Sequence, residues 1–436
     1  MKRYAINKLI EWKNSSKRKP LIIRGARQVG KTWLMKEFGK TEYKKVIYIN
    51  FELDKLMCDL FSIDFDTKRI IEGLELTHSK IDAQNTLIIL DEIQECPKAL
   101  TALKYFYENT PEYNIIAAGS LLGVAIHKNI SFPVGKVDFL DLYPLSFMEF
   151  LDAIGESNFI ELLKSPKSPN IKVFKEKYIE WLKKYYYIGG MPEVVSTFIE
   201  TNDFQKIRKV QENILDAYTR DFSKHISSTG KLKIDLLWES IPSQLTQESK
   251  KFVYKKIKSG ARADEFEEAL SWLINCGLVY KINRITKPAL PLKAYEDTKA
   301  FKLFILDVGL LSALSKLPAR TLIEGDKIFT EFNGALAEQY VLQQLKTIED
   351  MEIAYWISKS GNAEIDFIIQ TDGYVIPVEV KANTNLQAKS LKVYREKFKP
   401  EISIRTSLAD FEINNGLYNI PLYMASKFDE ILKDGR

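Results

Sequence analysis

The chain is poor in the residues that staple or chelate. Three cysteines (Cys58, Cys96 and Cys276) and three histidines (His78, His127 and His225) are scattered over 436 residues, with no C-x-x-C pair. That scarcity argues against a disulfide framework or a zinc site and fits reduced thiols in a cytoplasmic protein. Any bound metal must then be held by carboxylates and phosphates. No apolar run approaches the roughly 20 residues of a membrane span. The opening segment MKRYAINKLIEWKNSSKRKP breaks every apolar stretch with charge, so no signal peptide and no membrane partner are expected. The net charge of +5 is small for this length, so any basic surface must be local.

What is present is ample core material. Apolar residues make up 45% and aromatics 12%, while the charged 28% are well mixed, against long disordered tails. The length allows two to four domains at about 100–200 residues each. Residues 1–150 alternate short apolar strands (Leu21–Arg24, Val46–Glu52, Leu87–Leu90, Asn114–Ala118) with helical stretches. That alternation is the mark of an α/β domain with a parallel sheet. Residues 151–230 read as helical, with a break at Gly189-Gly190-Met191-Pro192. Residues 231–325 read as helices followed by strands at Leu278–Ile282 and Phe301–Leu306, the order of a winged helix-turn-helix. Residues 326–436 open with a helix, Asn333–Leu345, and continue through a strand pair.

Between the first strand and a helix-like run, Trp33–Phe38, lie Gly25, Ala26, Arg27, Gln28, Val29, Gly30, Lys31 and Thr32. They match G-x-x-x-x-G-K-S/T. Glycines let backbone amides turn inward around phosphates, Lys31 reaches the outer phosphates, and Thr32 offers a hydroxyl to magnesium. The helix N-terminus adds partial positive charge. The buried run Thr86–Leu90 ends in Asp91 and Glu92, which suit a magnesium shell and an oriented water respectively. ATP and Mg²⁺ are the expected ligands. Where the catalytic Glu adjoins the magnesium Asp, an extra strand separates the loop strand from the acidic strand. Asn114–Ser120 fills that part, with Ser120 the candidate γ-phosphate sensor and Gln94 a lesser one. Arg220 is one candidate for the arginine that steadies transition-state charge.

Near the C-terminus, Asp372-Gly373 between apolar runs is a strong two-residue hairpin signal. With those two as the loop, Asp366 falls opposite Glu379 and Glu364 opposite Lys381. Alternation along a strand then puts these four on one face and Ile365, Phe367, Ile369, Ile376, Val378 and Val380 on the other. Opposed carboxylates have Cβ atoms about 5 Å apart, close enough to share a divalent ion and costly without one. A wet, half-buried hairpin is the plainer alternative.

The 231–325 region divides its charge. Lys250, Lys251, Lys255, Lys256 and Lys258 read as a lysine-rich helix, whereas the next helix carries Asp264, Glu265, Glu267 and Glu268. Phosphates repel those acids, so a protein-contact module competes with DNA binding here.

Together these motifs, with Leu142-Tyr-Pro-Leu-Ser-Phe-Met-Glu-Phe150, Gly189-Gly-Met-Pro-Glu-Val194, Ile241-Pro-Ser-Gln244, Phe301-Lys302 followed by Asp307-Val-Gly-Leu310, and Gly334-Ala-Leu-Ala-Glu338, resemble the AAA-type bacterial and archaeal ATPases joined to a C-terminal domain of unknown function. The resemblance spans nearly the whole chain. It implies an AAA-like core, a helical lid, a winged helix and an end domain similar to the PD-(D/E)xK, restriction-endonuclease-like nuclease fold. In that fold Glu338, Asp366, Glu379 and Lys381 occupy the matching positions, the acids for magnesium and the lysine beside the scissile phosphate. Gly135-Lys136 departs from the expected Gly-Arg, and Lys lacks the bidentate fork of an arginine finger. The expected function is an ATP-hydrolysing switch whose end domain contacts nucleic acid. The alternatives are a nucleotide-gated magnesium-dependent nuclease and a non-enzymatic scaffold that recruits protein partners through the winged-helix or end domain. Oligomers are compatible with each.

Overall fold

Short β-branched runs between helical stretches build a parallel sheet at the start of the chain. In the computed structural model, which describes residues 1–119, 133, 135–225, 228–247, 250–321, 330–384 and 386–434, Cα packing divides the protein into two units. The first holds Lys2–Tyr143 with the short excursion Asn275–Leu278, and the second holds the remainder.

The first unit contains helix α1 (Ala5–Asn14), strand β1 (Leu21–Arg24), α2 (Lys31–Glu42), β2 (Lys45–Asn50), α3 (Lys55–Ser62), α4 (Thr67–His78), β3 (Thr86–Asp91), α5 (Pro97–Asn109), β4 (Asn114–Gly119) and β5 (Asp138–Asp141). The strands are all parallel, in the order β2-β3-β4-β1-β5. β4 thus lies between the loop strand β1 and the acidic strand β3, as the sequence leads one to expect. Every residue of β3 and β4 is buried, so these strands read as continuous apolar runs. Ile22, Ile47, Ile88 and Leu90 pack with Leu100, Leu103 and Phe106 of α5 in one core. Asp54 and Asp66 cap α3 and α4 by accepting from backbone amides, and Pro97 opens α5 where no amide donor is needed.

The second unit begins with α6 (Phe147–Ala153), whose Ser146 and Glu149 form a capping box. It continues through α7 (Ser157–Leu162), α8 (Pro169–Val173), α9 (Lys175–Ile188), α10 (Pro192–Thr201), α11 (Phe204–His225), α12 (Ser228–Leu245) and α13 (Ala263–Asn275). Strands β6 (Val279–Ile285) and β7 (Glu296–Ile305), α14 (Val308–Leu314), α15 (Thr330–Leu345), β8 (Glu352–Ile357), β9 (Glu364–Thr371), β10 (Tyr374–Val380), α16 (Lys389–Phe398), β11 (Ser403–Ser407), β12 (Glu412–Asn414), β13 (Leu417–Pro421) and α17 (Phe428–Asp434) follow.

Eight strands form one mixed sheet, ordered β12-β13-β11-β10-β9-β8-β6-β7. The antiparallel pair β6–β7, expected as the wing of a separate module, joins this sheet through the parallel pairs Arg284↔Tyr355 and Ile285↔Trp356. The lysine-rich stretch before α13 is not a helix. Only Tyr254–Lys256 makes a 3-10 turn. The backbone amide of Phe252 donates to the Phe301 carbonyl at 2.7 Å, that of Val253 donates to Gln244 Oε1 at 2.7 Å, and the Phe252 ring stacks on Phe301. These tertiary contacts override local helix propensity.

Two motifs left over from the sequence meet inside this unit. Asp307, fully buried, accepts from the Gly190 amide at 2.6 Å, the Leu310 amide at 3.0 Å and Gln343 Nε2 at 3.0 Å. It caps α14 and clasps the turn that ends α9. A Cβ on Gly189 (φ 77°) would strike the Asp307 carboxylate, and one on Gly190 would strike the backbone of Leu145. Burial pushes the Asp307 carboxyl up to about 6, against the pull of those amides. Gln339, Gln343 and Gln344 on α15 are likewise buried, and they bond to the backbone of Ile305, Val308 and Phe147.

Candidate functional site

The loop Gly25–Thr32 joins β1 to α2 and takes a backbone path closed to most side chains. Gly25 (φ 153°), Gln28 (φ 65°) and Gly30 (φ 96°) have positive φ. A Cβ on Gly25 would also collide with the Leu142 carbonyl, so only glycine fits there. Lys31 is buried, and its ammonium donates to the carbonyls of Gly25 at 2.9 Å and Ala26 at 2.8 Å. Burial lowers its pKa to about 8. The charges of Glu92 and Asp91 oppose the shift, and Arg27 adds to it.

Asp91, at the end of β3, is also buried. Its Oδ2 accepts from Thr32 Oγ1 at 2.7 Å and from the Tyr48 hydroxyl at 2.9 Å. The Thr32 hydroxyl and the Asp91 carboxylate thus form the pair of hard oxygen donors that a magnesium ion takes. Glu92 follows in the left-handed region (φ 50°, ψ 45°), sparsely populated for such a residue. Its Oε2 accepts from Gln94 Nε2 at 2.6 Å. The structure therefore brings Lys31, Thr32, Asp91 and Glu92 together, and makes Gln94 a partner of Glu92.

Ser120 lies outside the described residues. Lys136 pairs with Glu108 at 3.1 Å. The register Leu21↔Asp138 puts it near the start of β1, at the opposite end from the phosphate loop. Arg220 is exposed on α11 in the second unit. Two supports had no sequence signal. Arg3, buried, donates to the Val29 carbonyl inside the loop at 2.9 Å and to the Tyr143 carbonyl at 2.6 Å. Tyr48 braces Asp91 from β2. Neither position belongs to a motif.

The hairpin in the second unit has the expected register, with Tyr374↔Thr371 through Val378↔Phe367. Asp366 and Glu379 occupy the next step. The Val380 amide donates to Asp366 Oδ2 at 2.8 Å. The hairpin pairing stops at Val378↔Phe367, short of Glu364 and Lys381, and Glu364 pairs with Lys302 instead. The charged face is only partly wet: Glu379 is buried at 5% exposed, while Glu364, Asp366 and Lys381 are half-buried.

Lysines, not a metal geometry, answer these acids. Lys250 pairs with Glu338 Oε1, and Lys381 lies 2.7 Å from Glu379 Oε1. Lys302, fully buried, lies 2.5 Å from Glu364 Oε1 and 3.8 Å from Glu338 Oε2. Burial, reinforced by the charges of Glu338 and Glu379, raises the Asp366 carboxyl well above its ordinary range. Burial also works against the Glu338 carboxylate, but Lys250 and Lys302 outweigh it and hold that group low. Among the described residues no three His, Cys, Asp or Glu side chains are disposed to hold a metal ion. As arranged, Asp366, Glu379 and Glu338 do not fit a magnesium ion. Lys250 and Lys302 were the unforeseen members. Lys302 sits in a strand that otherwise reads as apolar core.

Among the described residues no helix is long and apolar enough to cross a membrane. No curated protein matches the chain. Among solved structures, the Walker-type ATPase of Pyrococcus abyssi is 15% identical, covering 72% of this chain and 95% of its own, with a TM-score of 0.47. RuvB, the Holliday junction branch migration motor of Thermotoga maritima, is 13% identical over 64% of this chain and 89% of its own, TM-score 0.31. The Aeropyrum pernix ORC1 protein in complex with DNA is 13% identical over 73% and 94%, TM-score 0.28. Residues 179–321 and 333–425 match two domains of unknown function, DUF8612 and DUF4143. Residues 17–151 match the AAA domain family, so the chain carries an AAA-type P-loop ATPase domain.

Proposed function

We propose that the protein is an ATP-hydrolysing switch whose second unit contacts nucleic acid. The observation that carries the ATPase reading is the Thr32–Asp91 hydrogen bond with Glu92 next in sequence. It ties the phosphate loop to the acidic strand and sets a candidate base beside them. The backbone amides of Gly25–Thr32 grip the β- and γ-phosphates, and the Lys31 ammonium offsets the charge that builds on the γ-phosphoryl oxygens. Thr32 and Asp91 would hold Mg²⁺, which supplies further charge neutralisation when bound. Glu92 accepts a hydrogen bond from the attacking water and orients it, with Gln94 fixing the glutamate's position. The contact with nucleic acid is supported by the resemblance of the end domain to the nuclease fold. The lysine-paired acids favour binding over cutting.

Steady-state hydrolysis tests the proposal. Glu92→Gln should retain ATP binding and lose about 100-fold or more in kcat, while Lys31→Ala should lose binding. Parent-like turnover in both variants overturns it. Incubating the parent with DNA or RNA and Mn²⁺ checks the nuclease reading, because cleavage abolished by Asp366→Ala would restore it.

A further inference from the structure

Outside the nucleotide site, the second unit has an open cleft. It has a volume of about 790 Å³ and lies between α16 and the strands β11 and β13. Its charged lining is Lys392, Arg395, Lys399, Arg405 and Glu396, and the carboxylates of Glu412 and Glu379 also act on Arg405. Lys392 and Arg395 lie one turn apart on α16 and Lys399 caps its C-terminal end, while Leu391 and Tyr394 are buried against the sheet.

Arg405 is the fixed element. Its Nε donates to Asn419 Oδ1 at 2.7 Å and its Nη1 to the Leu386 carbonyl, which locks the guanidinium plane. Arg395 is held in the same way through the Asn415 carbonyl. The hydrogen bonds that hold both guanidiniums go to neutral oxygens, which leaves other N–H groups to meet a phosphate in competition with Glu412 and Glu379. Lys392 and Lys399 are exposed, and Lys392 reaches Glu396 only at 4.0 Å. The cleft also borders the acid cluster. Arg405 and Glu379 are register partners on the parallel strands β11 and β10, so both leave the sheet on the same face.

We infer that this cleft is a phosphodiester-binding site, taking the backbone of a nucleic-acid strand and holding it beside Glu379 and Asp366. The inference rests on the reading of the second unit as a nucleic-acid contact. Arg405 and Arg395 fix the phosphate, the two lysines neutralise neighbouring phosphates and so release the strand's condensed cations, and the bases are not read.

Fluorescence anisotropy of labelled single-stranded DNA, duplex DNA and RNA against the full chain over a salt series is the test. The probe variant is Lys392→Glu with Lys399→Glu. Lys206→Glu with Lys209→Glu on α11 matches its change in net charge. The cleft variant should weaken binding about tenfold or more and flatten the salt slope by about two, whereas the α11 variant should bind like the parent. A parent-like circular dichroism spectrum and thermal unfolding curve of the cleft variant confirm that it folds. The three oligonucleotides show which strand is the preferred source of the phosphodiester. If the parent binds but the cleft variant keeps its affinity and slope, the cleft is wrong and the broader reading survives. If the parent binds no oligonucleotide, both fall. Equal weakening by the α11 variant overturns the inference, as does equal displacement by polyaspartate. So does equal displacement by inorganic triphosphate in a Lys31→Ala background.

Discussion

Lys31 should make ATP binding depend on pH in a range where the ligand itself no longer titrates. Lys31 is 7% exposed, and burial outweighs the attraction of Glu92 and Asp91 to bring its pKa to about 8. A bound triphosphate places several negative charges within contact and returns the group to a full ammonium. The complex therefore binds a proton that the free protein has begun to lose, and affinity falls as pH rises through 8. From a pKa of about 8, the free protein is about 10% neutral at pH 7 and about 90% neutral at pH 9, so Kd should rise about tenfold across that interval. The last proton of a phosphate monoester leaves near pH 6, well below this window. Calorimetry in two buffers of different ionisation enthalpy measures the proton directly. Uptake should be about half a proton per ATP at pH 8 and about 0.9 at pH 9. Lys31→Arg, which keeps its charge throughout, should bind more weakly but with no such slope. Flat affinity with no proton uptake in the parent would refute the reasoning.

Two further outcomes concern the second unit. Lys250→Met leaves the buried Glu338 with Lys302 at 3.8 Å as its nearest remaining cation and a hydrogen bond to Asp366, and should cost about 3 kcal/mol in urea unfolding. Adding Glu338→Gln should recover at least about 1 kcal/mol of that, and strictly additive costs would dissociate the two groups. Asp307, raised from 3.8 to about 6, binds its proton more tightly folded than unfolded. Its contribution is therefore full below pH 4 and is lost as pH rises through 6. The stability advantage of the parent over Asp307→Asn should shrink by about 2 kcal/mol from pH 4 to pH 7, and a constant difference would count against the clasp.

The legible parts of the chain were those governed by local chemistry. Strand Leu21–Arg24 has the bounds its apolar run suggests, because the glycine loop punctuates it. Asp372-Gly373 sets the hairpin register because a two-residue loop leaves no freedom to slip. What stayed hidden depends on contacts distant in sequence. Arg3 reaches Val29 across 26 positions, and Lys250 reaches Glu338 across 88. Neither carries a local pattern. The stretch around Lys250 reads as a helix by composition, yet Phe252 and Val253 spend their amides on Phe301 and Gln244. A lysine inside an apolar strand gives no hint that its partner is Glu364, two residues before Asp366.

The continuity of the eight-stranded sheet has a practical consequence for anyone dissecting the protein. Severing the chain near residue 325 would leave Arg284 and Ile285 on one fragment and Tyr355 and Trp356 on the other. Each piece would carry a raw strand border with unpaired amides and carbonyls, an invitation to stick to its own kind. It would also strip Lys302 from Glu338 and Glu364, leaving buried acids without their counter-charge. The two halves of that sheet are better inherited together.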